Sequence, residues 1–211
     1  MQAGRLITFE GGEGSGKSTQ ARLLAEILRA QGHRVTLTRE PGGTPLAEAI
    51  RELVLGNWAE GMDGVTELLL MFAARAAHLH GLIQPALAQG QIVICDRFID
   101  SSHAYQGGGQ GIDGTHLAAL EALVMPTLRI DLTFILDLPV AQGLARARAR
   151  GQTNRFEDVH TSFMQRVREA FLQRAAQFPD RCAVIDASAP RAAVTRAIED
   201  RVAALLQQKA H

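Results

Sequence analysis

Residues 6–20 read LITFEGGEGSGKSTQ, and this stretch decides the fold. Within it, Gly11, Gly16, Lys17 and Ser18 match the phosphate-loop pattern G-x-x-x-x-G-K-[ST]. A short β-prone run precedes the loop and a helical apolar spacing follows it, so backbone N–H groups and a helix N-terminus would form an anion cradle. The lysine would reach the terminal phosphates, and the serine hydroxyl would ligate Mg²⁺. The stretch predicts binding of a nucleoside triphosphate.

The residues expected to surround the phosphates of ATP lie next to one another in the chain. They are Gly11, Gly12, Glu13, Gly14, Ser15, Gly16, Lys17, Ser18 and Thr19. Glu13 places a carboxylate beside bound phosphates, which is costly unless it binds a cation or a substrate hydroxyl. Because Gly14 and Ser15 carry no charge, Lys17 is the only basic residue of the loop. Any further cation for the transferring phosphate must come from elsewhere in the chain.

The composition of the 211-residue chain is that of an ordinary globular enzyme with one domain, residues 1–211. The 22 Lys and Arg balance the 22 Asp and Glu, so no overall field favours a nucleic acid or an anionic membrane as partner. Cys95 and Cys182 lie in apolar runs and are expected to be buried thiols, as suits a reducing compartment. The first strand follows Met1 too closely for a signal peptide, and no apolar run is long enough to span a membrane. We expect a cytoplasmic protein.

Apolar runs alternate with helical patterns along the chain. Strands are predicted at residues 6–9, 34–38, 91–95, 132–138 and 183–186. Helices are predicted from residue 21, from 44 to 56, 66 to 80, 113 to 124, 140 to 150, 159 to 177 and 190 to 207. This alternation predicts an α/β fold of the phosphate-loop NTPase type, a five-stranded parallel sheet with helices on both faces and a short lid. Ligands then belong at the carboxyl ends of the strands, where Glu10, Arg39, Asp96 and Asp186 fall.

Three local signals sharpen these boundaries. Thr44 followed by Pro45 is a helix cap with proline at the first helical position. Pro85 either kinks the helix that begins near residue 66 or starts a new turn. Residues 98–114 are polar and rich in glycine, and the sequence assigns them no regular element beyond a helix start at 113.

Asp96 ends the third strand, where phosphate-loop proteins place a magnesium-associated aspartate. The alternative is a strand-end carboxylate in a turn. The guanidinium of Arg97 has the planar fork that suits a phosphate dianion, and Arg39 and Arg51 are further candidates. For all three arginines a surface ion pair is the alternative.

Met71, Phe72 and Arg75 share an apolar helix, with Arg75 four residues after the first and three after the second. This spacing puts an apolar side chain beside the guanidinium, so a flat base would rest on the former while the latter donates to a carbonyl. Core packing with a snorkelling arginine is the alternative. On the helix predicted at residues 140–150, Arg146 and Arg150 share one face, which is either a solvated basic face or the source of the cation that the phosphate loop lacks.

Residues 39–44 (REPGGT), residues 96–106 (DRFIDSSHAYQ) and the phosphate loop together resemble bacterial thymidylate kinases, and the resemblance runs over essentially the whole chain. It implies a homodimer that transfers the γ-phosphoryl group of ATP to dTMP with Mg²⁺, bound by Ser18 and Asp96. It also implies the subtype whose catalytic arginine comes from the lid, about residues 146–160. Arg150 would then be that arginine and Arg146 a second ATP contact.

The same resemblance implies roles on the acceptor side. Glu13 would meet the region of the sugar 3′-OH, Arg97 the phosphate of dTMP, and Tyr105 the 2′ side of the sugar. Ser102 and Gln106 would meet the base. Many members of the family place phenylalanine four residues before the base-binding arginine, whereas this chain has Met71 there and Phe72 one residue later. Either side chain would cover the thymine.

Lys17, Arg97, Arg150 and Glu13 are therefore the expected catalytic residues. A kinase of another nucleoside monophosphate is the nearest alternative. A phosphate-loop switch protein is a second, although the guanine motif Asn-Lys-x-Asp is absent from the sequence. A nucleic-acid-dependent ATPase is a third, and the zero formal net charge counts against it.

Overall fold

The structure is a computed structural model that describes residues 4–149 and 161–207. Its sheet has five parallel strands in the order β2-β3-β1-β4-β5. They are β1 (Arg5–Glu10), β2 (Val35–Arg39), β3 (Ile92–Asp96), β4 (Leu132–Asp137) and β5 (Cys182–Asp186). The predicted α/β class and the five predicted strands are confirmed, with strand ends that differ only slightly from the predicted ones.

Helices connect the strands. They are α1 (Lys17–Ala30), α2 (Pro45–Leu55), α3 (Gly64–His78), α4 (Gln84–Ala88), α5 (Ile99–Ser102), α6 (Gly114–Val124), α7 (Val140–Arg148), α8 (Thr161–Gln177) and α9 (Arg191–Gln207). Two π-helical stretches, Leu79–Ile83 and His103–Gly109, extend α3 and α5. Among the helices of these described ranges, none has the length and apolar character needed to cross a membrane.

Helices cover both faces of the sheet. Alternate residues of each strand point to opposite faces, and both sets of side chains are buried. Ile7 and Phe9 of β1 pack with the buried side chains of α1 and α9 on one face. Leu6 points the opposite way and packs with α3 and α6 on the other face. On that second face Ile135 of β4 and Phe171 of α8 belong to a third apolar cluster. The sheet is thus buried on both sides and its carboxyl edge stays open.

Two prolines marked in the sequence lie in the first turns of helical segments. The Thr44 hydroxyl accepts from the backbone N–H of Ala47 at 3.4 Å, and Pro45 is the first residue of α2. Pro85 lies in the first turn of α4, after the π-helical stretch Leu79–Ile83. The chain stays helical on both sides of this junction, at Ile83 and Gln84, so Pro85 starts no separate helix and the distortion is the π-helical stretch ahead of it.

The stretch His103–Gly109 is helical although it contains three consecutive glycines. A Cβ at Gly108 would lie 2.5 Å from the Cβ of Ala170, and one at Gly109 would lie 2.6 Å from the ring of Phe163. Both contacts are with α8, so the glycines let the two helices approach closely. This packing outweighs the low helix propensity of glycine, which is why local patterns predict no helix here.

Neither cysteine forms a disulfide. Cys95 is fully buried in β3, and burial raises the pKa of its thiol well above the usual value. Cys182 at the start of β5 is half-buried. The prediction of two free thiols is confirmed, and burial is complete only for Cys95.

Candidate active site

The phosphate loop joins β1 to α1. Gly16 adopts a left-handed backbone conformation (φ 91°) immediately before α1 begins at Lys17. The Lys17 ammonium lies across the loop, where it donates to the Gly12 carbonyl at 2.8 Å and lies 3.4 Å from the Ser15 hydroxyl. Burial, followed by the positive charge of Arg97, lowers the pKa of Lys17 to about 8. A bound polyanion would favour the charged form again, so the loop is arranged to receive phosphates.

The loop packs directly against the backbone of α7. Gly14 has a φ of 71°, and a Cβ there would lie 2.1 Å from the carbonyl oxygen of Gly143. In return, a Cβ at Gly143 would lie 2.4 Å from the carbonyl oxygen of Glu13. No side chain fits at either position. Gly143 was not predicted from sequence to matter for the site, although it is the only glycine of the helix predicted at residues 140–150.

The ends of β1, β2 and β3 bring three predicted site segments together. Asp96 is in register with Phe9 of β1 and with Arg39 of β2. The Ser18 hydroxyl donates to Oδ2 of Asp96, so the two predicted metal ligands are in contact. A hydroxyl and a carboxylate are hard oxygen ligands of the kind that Mg²⁺ prefers, and this ion usually takes few ligands from protein. The pair fits a magnesium ion that is also held by phosphates.

Arg97 and Glu13 form the centre of the acceptor side. Arg97 Nη2 donates to Glu13 Oε1 at 2.6 Å and to the Tyr105 hydroxyl at 3.2 Å, and Nη1 donates to the Gly11 carbonyl at 3.2 Å. The Tyr105 hydroxyl lies 3.3 Å from the same Glu13 oxygen. Arg97 has a φ of 68°, and its side chain lies back over the loop. Of the two kinds of partner expected for the Glu13 carboxylate, a cation or a substrate hydroxyl, the structure provides the cation in Arg97.

A cleft of about 280 Å³ opens above these groups. The predicted site residues that line it are Glu13, Gly14, Gly16, Lys17, Ser18, Thr19, Arg39, Arg51, Met71, Asp96, Arg97, Tyr105 and Gln106. Lining residues that were not predicted from sequence are Glu40, Pro41, Val54, Leu55 and Ser101. The first two belong to the quoted REPGGT stretch, and the next two belong to the amphipathic α2, so signals for them were available.

The β2 side of the cleft is basic. Arg39 Nη1 and Arg51 Nη1 both donate to the Pro41 carbonyl at 2.9 Å. Arg39 also forms a surface ion pair with Glu48 at 2.9 Å. Burial, together with the charge of Arg39, lowers the pKa of Arg51. With Arg97, these guanidinium groups concentrate positive charge where a phosphate dianion would bind.

Arg75 lies in the core beneath the cleft and is only 1% exposed. Its Nε donates to Glu40 Oε2 at 2.8 Å, and Nη2 donates to the Phe98 carbonyl at 3.1 Å. Both terminal nitrogens lie 3.2 Å from the Ser102 hydroxyl. Of the alternative proposed from sequence, core packing is observed but snorkelling is not, since the guanidinium is buried. Arg75 and Ser102 form a buried polar layer that borders the cleft-lining residues.

Met71 and Phe72 occupy different environments. Met71 lines the cleft. Phe72 is 2% exposed within the core, where its ring centroid lies 4.9 Å from the Arg75 guanidinium. Of the two candidates for contact with a base, the methionine is the one that faces the cavity.

Two of the three arginines at the start of the predicted lid, Arg146 and Arg148, lie in the described part of the chain. Arg146 Nη1 donates to the Ala187 carbonyl at 3.1 Å, beside the end of β5, and Arg146 is not among the cleft-lining residues. Arg148 is exposed at the end of α7. Arg150 lies outside the described residues, as does most of the predicted lid.

Glu10 supports the site from behind and was not assigned a role from sequence. It is completely buried at the end of β1 and accepts from the Phe98 N–H at 2.8 Å and the Ser101 hydroxyl at 2.5 Å. Burial, followed by the charge of Asp100, raises the pKa of Glu10 to about 7. This carboxyl fixes the turn after β3 that carries Arg97.

Comparison with known proteins gives one consistent result. A family model described as thymidylate kinase matches residues 9–198. The chain is 55% identical to a thymidylate kinase of Pseudomonas entomophila over 206 residues, which covers 98% of each chain. It is 55% identical to that of Pseudomonas fluorescens strain SBW25, with coverage of 97% and 98%. The crystal structure of thymidylate kinase from Ehrlichia chaffeensis is similar with a TM-score of 0.79 at 39% identity, covering 95% of this chain and 99% of that one.

Proposed function

Because the chain belongs to the thymidylate kinase family, we infer that it transfers the γ-phosphoryl group of ATP to dTMP and so forms dTDP for nucleotide biosynthesis. One observation in the structure carries this function. Lys17 of the phosphate loop and Arg97 of the acceptor side line a single cleft, together with the Ser18 and Asp96 pair. A donor phosphate and an acceptor phosphate would thus meet in one cleft, as transfer between them requires.

We propose that the phosphate loop holds the donor nucleotide. The backbone N–H groups at the start of α1 and the Lys17 ammonium would bind the β- and γ-phosphates, since both point into the loop. Ser18 and Asp96 would hold Mg²⁺. When bound, this ion would neutralise charge on the phosphates, and the protein residues would supply position and the remaining positive charge.

We propose that Arg97 holds the phosphate of dTMP. In this structure Glu13 and Tyr105 surround its guanidinium, so its fork is already oriented before the acceptor arrives. Glu13 would then accept from the sugar 3′-OH, and the Tyr105 ring would pack against C2′, leaving no space for a hydroxyl there. Arg39 and Arg51 would add positive charge at the same end of the cleft. No general base is needed, because the acceptor phosphate is already an anion.

We propose that the thymine rests on Met71, since this side chain lines the cleft whereas Phe72 packs in the core. Arg75, Ser102 and Gln106 would form the polar floor beneath the base. The buried Arg75 guanidinium is held by Glu40, so its remaining donor capacity is fixed in direction.

We propose that Arg150 supplies the additional cation for the transferring phosphoryl group, with Arg146 as a further ATP contact. The phosphate loop provides no such group, because a side chain at Gly14 would collide with the Gly143 backbone. Arg150 is the second residue after the end of α7 and would reach the phosphates when the lid, about residues 146–160, closes. A guanidinium in this position contributes a large part of the rate in related enzymes.

We propose that two copies of the chain form a homodimer. Large apolar side chains are exposed on α2, α3 and α6, and these are Leu46, Leu53, Val65, Leu69 and Leu123, each 44% to 75% exposed. Such a concentration on neighbouring helices marks an interaction surface. Light scattering after gel filtration should give a molar mass of twice that of one chain, and Leu69→Glu should reduce it to the mass of a single chain.

We also propose that the protein is located in the cytoplasm, where both of its free thiols would stay reduced.

The test of the function is a coupled assay of ADP formation from ATP and Mg²⁺, with dTMP, dUMP, dCMP, dGMP and AMP offered separately. We expect the highest kcat/KM with dTMP and no stimulation by added DNA. A better rate with AMP or dGMP, or ATP hydrolysis that does not depend on an acceptor, would overturn the proposal.

A further inference from the structure

Gln106 carries an unpaired acceptor beside the cleft. Its side chain is 2% exposed and belongs to the residues that line the cavity. Within the described residues, no hydrogen-bond donor reaches its Oε1 atom. Buried side-chain oxygens nearly always have a partner, so an orphan acceptor at a ligand cavity indicates that a donor on the ligand completes it.

Glu67 determines which end of this amide faces the cavity. Gln106 Nε2 donates to Glu67 Oε1 at 2.6 Å, and Gln110 Nε2 donates to the same oxygen at 2.9 Å. Glu67 is 1% exposed in the first turn of α3. A carboxylate accepts hydrogen bonds and donates none, so the amide nitrogen of Gln106 must face it. The amide oxygen is thereby held on the opposite side.

We propose that Glu67 is a specificity-determining positioning residue that selects a pyrimidine with a ring N–H. By fixing the amide of Gln106, it makes the cleft present an acceptor to the base. Arg75 lies behind the cleft lining, hydrogen-bonded to Ser102 one turn before Gln106, and would supply the neighbouring donor. An acceptor from Gln106 beside a donor from Arg75 would match N3–H and the 4-carbonyl of thymine or uracil. Cytosine presents the reverse order, a lone pair at N3 and an amino group at position 4. The Gln106 acceptor would then face an acceptor, and the Arg75 donor would face a donor. The inference rests on the proposed function and adds to it the source of base selection.

The test is Glu67→Gln in the full-length enzyme. A carboxamide at 67 can accept or donate, so the Gln106 amide is free to rotate and turn its NH₂ toward the cleft. We expect the ratio of kcat/KM for dTMP to kcat/KM for dCMP to fall by about tenfold or more, as the loss of one oriented hydrogen bond implies. The KM for ATP should stay the same. An unchanged ratio would overturn the proposal.

A double-mutant cycle separates this role from a merely structural one. Gln106→Leu should lower the same ratio, and adding Glu67→Gln to it should change the ratio little further. An equal loss from Glu67→Gln in both backgrounds would show that Glu67 does not act through Gln106. If Glu67→Gln does not fold, Gln106→Leu alone decides, since a wild-type ratio in it removes the acceptor from base selection. Glu52→Gln on the exposed face of α2 is the matched control and should leave the ratio unchanged.

The outcomes distinguish this inference from the function itself. A wild-type enzyme that does not prefer dTMP over dCMP would contradict the proposed function. A wild-type enzyme that prefers dTMP, with the preference intact in the Glu67 and Gln106 variants, would contradict only the inference.

Discussion

Glu40→Gln should destabilise the protein far more than its position near the surface of the cleft suggests. Glu40 Oε2 accepts from Arg75 Nε at 2.8 Å, and Oε1 pairs with His78 Nδ1 at 3.1 Å. His78 Nε2 in turn forms a hydrogen bond with the Thr38 hydroxyl at 2.7 Å. The side chains of Arg75 and His78 are 0% exposed and that of Glu40 is 2% exposed. A carboxamide has one acceptor oxygen for two buried donors, and its NH₂ must face one of them.

The magnitude follows from the burial of the pair. Removing one partner of a buried ion pair leaves an uncompensated charge and costs about 3–5 kcal/mol. For a chain of this size, each kcal/mol lowers Tm by roughly 2–4 °C, so Glu40→Gln should lower Tm by about 6–20 °C. Urea unfolding at pH 7, followed by circular dichroism, measures the free energy directly.

Glu48→Gln is the matched control, because Glu48 also pairs with an arginine in the same region. The Arg39–Glu48 pair is 44% and 41% exposed, and such pairs contribute about 0–1 kcal/mol. An amide oxygen at 48 can still accept from the Gly43 N–H, which lies 2.8 Å from the present carboxylate. If the two variants differ by less than about 1 kcal/mol, burial of the Glu40 network is not what stabilises it.

Four other predictions concern activity and pH. Lys17→Ala should lower kcat by at least about 10²-fold without loss of folded structure, and near-normal turnover would remove the phosphate loop from the mechanism. Tyr105→Ala should narrow the preference for dTMP over its ribose analogue, whereas equal kcat/KM ratios before and after would place that discrimination elsewhere. Arg150→Ala should lower kcat by about 10³–10⁵-fold with little change in the KM for ATP, and Arg148→Ala should lower kcat much less. A raised KM for ATP at constant kcat, or a larger loss of kcat in Arg148→Ala than in Arg150→Ala, would contradict the role of Arg150. The pKa of Glu10 is raised from 4.5 to about 7 in the folded state, so between these pH values the folded protein binds more protons at Glu10 than the unfolded chain does. The free energy of unfolding should therefore fall as pH rises from 5 to 8. Glu10→Gln should remove that part of the slope, at most about 3 kcal/mol, and parallel stability curves for the two proteins would show that the shift is absent.

Local patterns in the sequence were sufficient for the fold and for the phosphate side of the site. The phosphate loop is contiguous, and the alternation of strands and helices dictates a parallel sheet whose carboxyl edge collects the loop ends. Asp96 could therefore be placed near Ser18 from these patterns alone, and the contact between the two side chains follows from the pairing of β1 with β3.

Local patterns failed where packing between distant helices decides the conformation. The glycines of His103–Gly109 have low helix propensity, yet the approach of α8 makes them part of a helix. The same limit applies to Met71 and Phe72. Adjacent residues on an amphipathic helix both satisfy the spacing rule, and only the position of the neighbouring core shows which one faces the cleft.

What the sequence determined by itself is the chemistry that needs consecutive residues: a phosphate cradle, a strand-end carboxylate and the class of sheet that joins them. Only the tertiary structure decided the partners of the buried and partly buried polar groups. Arg97 meets Glu13 across 84 residues, Gln106 meets Glu67 across 39, and Arg75 meets Glu40 across 35. Each of these donors could be paired with many carboxylates in the chain. Folding selects the carboxylate that packing brings within hydrogen-bonding distance, because another arrangement would leave a polar or charged group away from water without a partner.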